Sequence, residues 1–333
     1  MLCLLLAGCM DDDFPEYNEL EGFRVLAVQA EPPTIAFGED TTLSALVFVE
    51  DGDAGDVDYE WSWCPARLPS AVGGECAIDE ALVAGLGLGE VSFDLGQEPT
   101  ATFTHAVPED VLGALCNSDA DASGDLDAGV DDAAHDGEDD GQGFLLDCSQ
   151  GVPISVQLVA RRGDATITTI KELRLLRAGD PRNENPRIDG LSHALVPEGT
   201  AEDDVEDVVR EDDATAVADD GDSELKLGEW YRMFADVPDD AAEMFTRPPR
   251  GFETEGQDKL ENLAISWFVS AGSTERERTA FTDGTSEFSD LFGNTWKLPK
   301  SGDRDPGPAQ IFLIIRDERG GIGWLQRTVE LTR

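Results

Sequence analysis

Basic residues are scarce in this 333-residue chain. It has 24 lysines and arginines against 71 aspartates and glutamates, which gives a formal net charge of −47 at pH 7. Nucleic-acid binding needs clusters of Lys and Arg that neutralise phosphates, and the sequence contains no such cluster. The composition therefore argues against nucleic acid as a partner. An acidic surface also suits a salty habitat, where dissolved ions screen the repulsion between carboxylates.

The sequence also lacks the short motifs of common hydrolases and nucleotide-binding enzymes. It has no GxSxG elbow, no HExxH pair and no phosphate-cradling glycine loop. His105, His135 and His193 are the only histidines, and nothing in the sequence groups them. We therefore predict that they are surface or hydrogen-bonded histidines and that the protein is not an enzyme. With so many acidic residues, the sequence neither supports nor excludes a glycosidase-type carboxylate pair.

No apolar run approaches the roughly 20 residues that a membrane-spanning helix requires. The first residues nevertheless indicate an anchor, because Leu5-Leu6-Ala7-Gly8 precede Cys9 and an acidic run follows it. This pattern resembles the lipobox of bacterial lipoproteins. The resemblance implies that residues 1–8 are the remnant of a signal peptide, that Cys9 becomes the lipidated N-terminus, and that residues 9–22 form a tether.

The leader itself is incomplete as a signal sequence. It carries no Lys or Arg, and its apolar core is shorter than the roughly 7–15 residues of a secretory signal, so we expect the natural start to lie upstream. The rival interpretation is a short apolar N-terminus with a chance cysteine. Met10 follows Cys9, whereas an Asp there would resemble an inner-membrane retention signal. The resemblance thus implies a lipid anchor in the bacterial outer membrane, on either face. We separately expect an unknown envelope protein or glycan as partner.

Four cysteines remain once Cys3 and Cys9 are set aside. An even number in an exported protein favours two disulfides over free thiols or a metal site. Proximity in the sequence suggests the pairs Cys64–Cys76 and Cys116–Cys148, although four cysteines allow three connectivities. A zinc site is the rival, but it would require CxxC-type spacing that no pair shows.

Short β-rich segments separated by turns predict an all-β fold. Tyr59, Trp61 and Trp63 alternate along one strand, so their side chains share a face. The order of strand, proline turn, long strand, acidic turn and Trp-bearing strand resembles the front half of an immunoglobulin-like or polycystic-kidney-disease-like sandwich, with Trp61 or Trp63 as the buried aromatic residue. The Cys…Trp…Cys spacing of antibody domains is absent, so the likeness is one of architecture.

The length of the chain suits two domains better than one. We predict a first sandwich over residues 23–178, a linker over 179–187, and a second sandwich over 188–333. Trp267 lies in the second half about where the first half carries its tryptophans, and a strong hairpin candidate turns at Gly320-Gly321. Because the two halves share an order of elements, we infer a weak internal duplication.

Two acidic stretches interrupt this pattern. Residues 117–141 contain ten acidic and no basic residues, and residues 198–224 contain thirteen acidic residues against a single arginine. Segments of this kind bury too little apolar surface to offset their conformational entropy. We therefore predict that both are disordered insertions in the sandwiches.

The first insertion contains a loop that resembles an EF-hand-type calcium loop, with oxygen ligands at alternate positions and Gly124 at the sharp turn. Val130 stands where the bidentate carboxylate should be, and no flanking amphipathic helices are visible. We favour a solvated spacer here and keep Ca²⁺ as the one candidate cofactor. The candidate ligands are Asp119, Asp121, Ser123, Asp125 and Asp127.

These observations predict a non-catalytic, lipid-anchored envelope protein with a structural or protein-interaction role. The alternative is a calcium-dependent module that binds a glycan or a protein, and an envelope hydrolase is the least favoured function. The six tryptophans could stack on sugars. We predict instead that they belong to the cores, because a sandwich needs buried aromatic residues.

Calcium dependence separates the two leading functions. If the loop at 119–127 binds Ca²⁺, millimolar CaCl₂ should raise the melting temperature of residues 17–333 by several degrees, because a ligand that binds only the native state stabilises it. MgCl₂ and NaCl at matched ionic strength are the controls. Equal shifts in all three salts would show plain screening of the negative charge and would eliminate the calcium-dependent alternative.

Overall fold

The structure is a computed structural model that describes residues 17–50, 54–65, 67, 76, 80, 92–106, 148, 150–219, 221–247, 249 and 255–333. Within these residues the regular structure is almost entirely β-strand, arranged as an N-terminal and a C-terminal sandwich. No helix in this part of the chain is both long and apolar enough to cross a membrane.

The N-terminal sandwich contains eight strands in two sheets, ordered β1-β3-β6 and β2-β8-β7-β4-β5. Side chains from the inner faces of both sheets meet in one core, which includes Leu43, Phe103, Trp61 and Val156. The strands are β1 (Phe23–Glu31), β2 (Thr34–Ala36), β3 (Asp40–Val49), β4 (Asp58–Cys64), β5 (Asp94–Gly96), β6 (Thr100–Thr104), β7 (Val152–Arg162) and β8 (Ala165–Leu176).

The C-terminal sandwich contains the remaining strands, in sheets ordered β10-β9-β12-β18-β16 and β11-β20-β19-β15-β17, with a separate hairpin β13-β14. The strands are β9 (Gly190–Leu195), β10 (Thr215–Ala216), β11 (Glu224–Lys226), β12 (Trp230–Asp236), β13 (Met244–Arg247), β14 (Gln257–Leu260), β15 (Leu263–Val269), β16 (Ser273–Thr274), β17 (Arg278–Phe281), β18 (Gly293–Lys297), β19 (Gly307–Asp317) and β20 (Ile322–Thr332).

The two sandwiches repeat one strand order. The series β1-β3-β6 corresponds to β9-β12-β18, and β2-β8-β7-β4-β5 corresponds to β11-β20-β19-β15-β17. In both, a short strand pairs in parallel with the last long strand, while the other pairs are antiparallel. Trp61 on β4 and Trp267 on β15, at corresponding places, are both 0% exposed. The predicted all-β fold of immunoglobulin-like sandwiches is confirmed.

The hairpins predicted at the end of each half are present. Strands β7 and β8 pair along their whole length, and so do β19 and β20. Gly320 in the second turn has a φ of 99°, a conformation that residues with a Cβ rarely adopt.

The acidic stretch 198–224 differs from the expected disordered insertion. It contains two 3-10 turns (Glu202–Asp204 and Glu211–Asp213), the one-turn helix α1 (Val205–Val208) and strand β10. Val205, Val209 and Val217 are buried. These valines supply the apolar surface that the acidic composition concealed, so this stretch packs against the C-terminal sandwich. The other stretch, residues 117–141, lies outside the described residues.

Candidate functional site at the junction of the sandwiches

The two sandwiches meet through the outer faces of two sheets. Along β19, Ile311, Leu313 and Ile315 point into the C-terminal core, so Phe312 and Ile314 point the opposite way. These two outward side chains are nonetheless buried, because they join a second apolar cluster with residues of β1 and β3. The members from the N-terminal sandwich include Leu26, Ala27, Leu46 and Phe48.

A bulge in β1 shapes the N-terminal side of this contact. The pairing of β1 with β3 shifts register between Val25 and Ala27, so Leu26 is an extra residue in its strand. Leu26 and Ala27 both belong to the junction cluster as a result. On the other strand, the ring of Phe48 lies edge-on to that of Phe312, with centroids 6.0 Å apart.

The residues just before β1 also bind the C-terminal sandwich. Leu20 donates its N–H to the carbonyl of Val269 at 2.9 Å, and Val269 donates to the carbonyl of Asn18 at 3.0 Å. The pairing of β15 with β17 ends at Ser266, so the later backbone groups of β15 need another partner. The residues of the predicted tether that the structure describes, 17–22, are thus bonded to the C-terminal sandwich through Asn18 and Leu20, while residues 9–16 lie outside the described part of the chain.

The connection between the sandwiches is held by side-chain hydrogen bonds, although it contains no helix or strand. The amide of Asn185 donates to the carbonyl of Ala30 at 2.7 Å and accepts from the N–H of Ile322 at 2.8 Å. One side chain thus links β1 to β20. Asn183 also links the sandwiches, because its backbone N–H donates to Oγ1 of Thr34 and its side-chain amide donates to Oδ2 of Asp317, each at 3.0 Å.

Glycine allows this connection to lie directly on β20. A Cβ added to Gly323 would stand 2.0 Å from the carbonyl oxygen of Pro186, far inside van der Waals contact. Gly323 is therefore required for the close approach of the two backbones and not for a special φ angle.

A buried ion cluster lies at the turn between β19 and β20. Arg319, whose side chain is 5% exposed, forms ion pairs with Glu261, which is 1% exposed, and with Glu243 at 2.5 Å. Its guanidinium also donates to the carbonyl of Arg182 in the connection at 2.9 Å and lies 5.0 Å from the ring centroid of Phe245. Arg319 therefore joins the turn, the connection and the β13-β14 hairpin.

The cluster holds two groups with shifted pKa values. Burial, together with the negative charge of Asp317, raises the pKa of Glu261 to about 7 and outweighs the contact with Arg319. Burial lowers the pKa of Lys171 to about 8. Lys171 lies on β8 of the N-terminal sandwich, and its ammonium donates a hydrogen bond to the carbonyl of Gly320 across the junction.

The described histidines do not form a catalytic group. His105 follows β6 in the N-terminal sandwich, whereas His193 lies on β9 in the C-terminal one. Burial lowers the pKa of His105 to about 4 and also lowers the pKa of His193, and each ring lies edge-on to an aromatic ring. His105 is fully buried and not at the surface, while His135 lies outside the described residues.

The described residues include part of the predicted site. Cys64 and Cys76 form a disulfide, and Cys148 is also disulfide-bonded. Across the described residues, no group of three or more His, Cys, Asp and Glu side chains is placed to hold a metal ion. Outside the described residues lie Cys9, Cys116, Asp119, Asp121, Ser123, Asp125 and Asp127.

The tryptophans lie mostly in the cores, as the sandwich architecture requires. Trp61, Trp267 and Trp296 are fully buried, and Trp63 is nearly so. The partly exposed Trp324 packs against the junction cluster. The sixth, Trp230, packs on the outer face of β12.

No protein-family model matches the sequence, and a search of curated proteins finds no similar sequence. Among solved structures, the chain is similar to a chimeric titin Z1Z2-Z1Z2 tandem functionalised with a fibronectin GRGDS peptide, at 12% identity over 93% of this chain and 97% of that one, with a TM-score of 0.20. It is also similar to SGBP-B of the Bacteroides ovatus mixed-linkage glucan utilization locus in complex with a mixed-linkage heptasaccharide, at 7% identity over 94% of this chain, with a TM-score of 0.17.

The chain spans about half of SGBP-B, 48% of its length. A third similar structure is E. coli alpha-2-macroglobulin in its native conformation, at 9% identity over 92% of this chain but 16% of that one, with a TM-score of 0.20. Superpositions this loose carry no functional conclusion.

The raised pKa of Glu261 predicts a specific pH dependence of stability. A carboxyl whose folded pKa exceeds its unfolded value stabilises the protein fully below the unfolded pKa, near 4.5, and loses that contribution as pH rises through about 7. Between pH 4.5 and 7.5, we expect the unfolding free energy of the wild type to fall by about 3 kcal/mol more than that of Glu261→Gln. Denaturant titrations at several pH values measure this fall.

Glu60→Gln is the matched control, because it removes one negative charge at an exposed position on β4. An identical pH profile for the wild type and Glu261→Gln would contradict the assignment.

Proposed function

We propose that this chain is a lipid-anchored protein of the bacterial envelope whose two sandwiches are fixed to one another and act as a rigid, non-catalytic interaction module. The observation that carries the proposal is the junction. Its two sides bury apolar side chains against each other, and the connection is bonded to both sandwiches. Two independent domains on a flexible linker would need neither feature.

A rigid pair of sandwiches presents its loops and sheet edges at set distances, which lowers the entropy cost of binding a partner at more than one point. The all-β fold is compatible with such a role at a surface. Binding through edges and loops is an analogy from other sandwiches, and the partner in this proposal is an envelope protein or a glycan.

The position of Tyr17, the first described residue, bears on where a lipid on Cys9 would hold the protein. Tyr17 lies eight positions after Cys9, and an extended chain of eight steps reaches at most about 28 Å. Tyr17 packs on Phe268 of the C-terminal sandwich, with ring centroids 5.3 Å apart. A lipid on Cys9 would therefore hold the junction near the membrane.

Lipidation is tested by growing a bacterial host with an alkyne-bearing fatty acid while it expresses the protein with its natural leader. We expect the label and the membrane association to be lost in Cys9→Ser, because acylation needs that thiol. Cys3→Ser is the control and should keep both. A Cys9→Ser protein that still carries the label would disprove the anchor.

Rigidity is tested by the distance between spin labels at Thr168→Cys and Thr285→Cys, two exposed positions on different sandwiches. Pulsed electron paramagnetic resonance on residues 17–333 should give one narrow distance distribution. Gly323→Val should broaden it, because the added side chain collides with Pro186. Gly302→Val is the matched control, since a Cβ at Gly302 meets no atom within 4 Å. A broad distribution in the unsubstituted labelled protein would refute a fixed junction.

A further inference from the structure

Residues 198–217, here called the strap, cover one outer face of the C-terminal sandwich. The strap leaves the end of β9 and returns as β10 at the edge of the same sheet. Its Val205 and Val209 are buried in a small apolar cluster with Ala194 on β9 and Phe234 on β12. This cluster is separate from the main core of the sandwich.

The face beneath the strap gathers cations and aromatic rings. We call it the cation–aromatic face, and it consists of Trp230, Arg232, Phe234, Arg276 and Lys297. Three of the 24 basic residues of a chain with a net charge of −47 thus lie on one sheet face. The cations of this face contact the strap or the rings, so the face is suited to a ligand that is both acidic and apolar.

The contacts between strap and face show how such a ligand is held. Arg232, with its side chain 7% exposed, donates from Nη2 to Oε1 of Glu206 at 2.8 Å, and Arg276 reaches the same oxygen at 2.9 Å. Lys297 pairs with Glu202, and its Nζ lies 4.9 Å from the ring centroid of Trp230.

The sheet is shaped to accommodate the guanidinium of Arg232. A Cβ at Gly293 on the neighbouring strand would stand 2.3 Å from Nη2 of Arg232, so the guanidinium lies in space that a side chain at this position would occupy. Within the described structure, the Nε of Arg232 has no hydrogen-bond partner. A buried cation with an unused donor is a costly feature that the strap satisfies only in part.

The strap is weakly held. Its helix is a single turn, and neither the helix nor its two 3-10 turns has a side-chain cap. Eight acidic residues lie between positions 202 and 213, and in the part of the chain described here only Glu202 and Glu206 form ion pairs. The remaining carboxylates repel one another. Between positions 202 and 213 only Val205 and Val209 are buried, so this part of the strap opens locally at low cost against such repulsion.

The N-terminal sandwich packs against its neighbour through the equivalent face. Strands β1 and β3 correspond to β9 and β12 in the shared strand order, and the outer face of β1 and β3 binds the neighbouring sandwich. One copy of the fold thus buries this face against protein, and the other covers it with the strap.

We propose that the cation–aromatic face is a docking site for an acidic, valine-bearing segment of a partner protein, and that the strap occupies this site in cis until the partner displaces it. The inference deepens the proposed interaction role and rests on it. The strap itself gives the chemistry of the occupant, with two valines four residues apart and a carboxylate between them that reaches Arg232. A tethered strap competes at high effective concentration, so the partner binds more weakly than it would to the open face.

The test uses a fluorescein-labelled peptide with the sequence of residues 199–214, measured by fluorescence anisotropy against residues 17–333. We expect weak binding to the wild type and binding at least tenfold tighter to Glu206→Arg, whose new charge repels Arg232 and Arg276 and opens the strap. Adding Arg232→Gln to the Glu206→Arg variant should weaken its binding of the peptide at least tenfold. Both chain and peptide are acidic, so non-specific charge opposes binding.

Arg278→Gln in the opened variant is the matched control, because Arg278 is exposed on β17 in the other sheet. A peptide of scrambled sequence tests the spacing of the valines. Hydrogen exchange of the strap amides reports whether the strap has opened, and a variant with residues 200–213 replaced by a Gly-Ser linker serves if Glu206→Arg leaves it closed.

An open strap without peptide binding would overturn the proposal, and so would equal binding of the scrambled peptide or no effect of Arg232→Gln. The assay involves neither the lipid nor the angle between the sandwiches. Its failure would therefore leave the anchor and the fixed junction standing, and the labelling and distance experiments would test those separately.

Discussion

The structure depends on covering both faces of β19. The run from Ile311 to Ile315 sends alternate side chains to opposite sides of the sheet, so one core can bury only half of them. Phe312 and Ile314 would face water in an isolated sandwich, and burying such side chains contributes about 1.5–3 kcal/mol each. The outer face of β1 and β3 supplies that burial. The bulge in β1, the bound residues 17–22 and the bonded connection all follow from holding those two faces together.

The polar groups at the junction determine how the two sandwiches are placed more than they raise the free energy of unfolding. Withdrawing Arg319 and Glu261 from water costs several kcal/mol per ion, which their attraction only partly returns. An apolar patch alone would let two flat sheets slide past each other. Arg319 contacts both the connection and Glu243, and Lys171 reaches the carbonyl of Gly320, so these contacts favour one relative placing of the sandwiches.

Local patterns in the sequence predict the strands well. The segment Leu263–Val269 is β15 residue for residue, and the Gly-Gly pair marks the turn of the last hairpin. The order of the strap is missed because a prediction from composition counts its nine acidic residues and ignores the two valines four residues apart, which one helical turn brings to one side. The junction is missed for another reason. The uninterrupted run at β19 indicates burial on both faces, but no single-sequence pattern says that β1 and β3 provide the second cover.

The two sandwiches share one strand order, but the outer faces of their corresponding sheets differ. Both sandwiches keep a fully buried tryptophan at the same place, because that position fills the space between the sheets. The outer faces are free of this constraint and differ. The face of β1 and β3 is apolar and packs on the C-terminal sandwich, whereas the equivalent face of β12 carries Arg232 beside Phe234. An apolar cover would leave the buried guanidinium without the carboxylate of Glu206, so physical chemistry favours an acidic cover such as the strap.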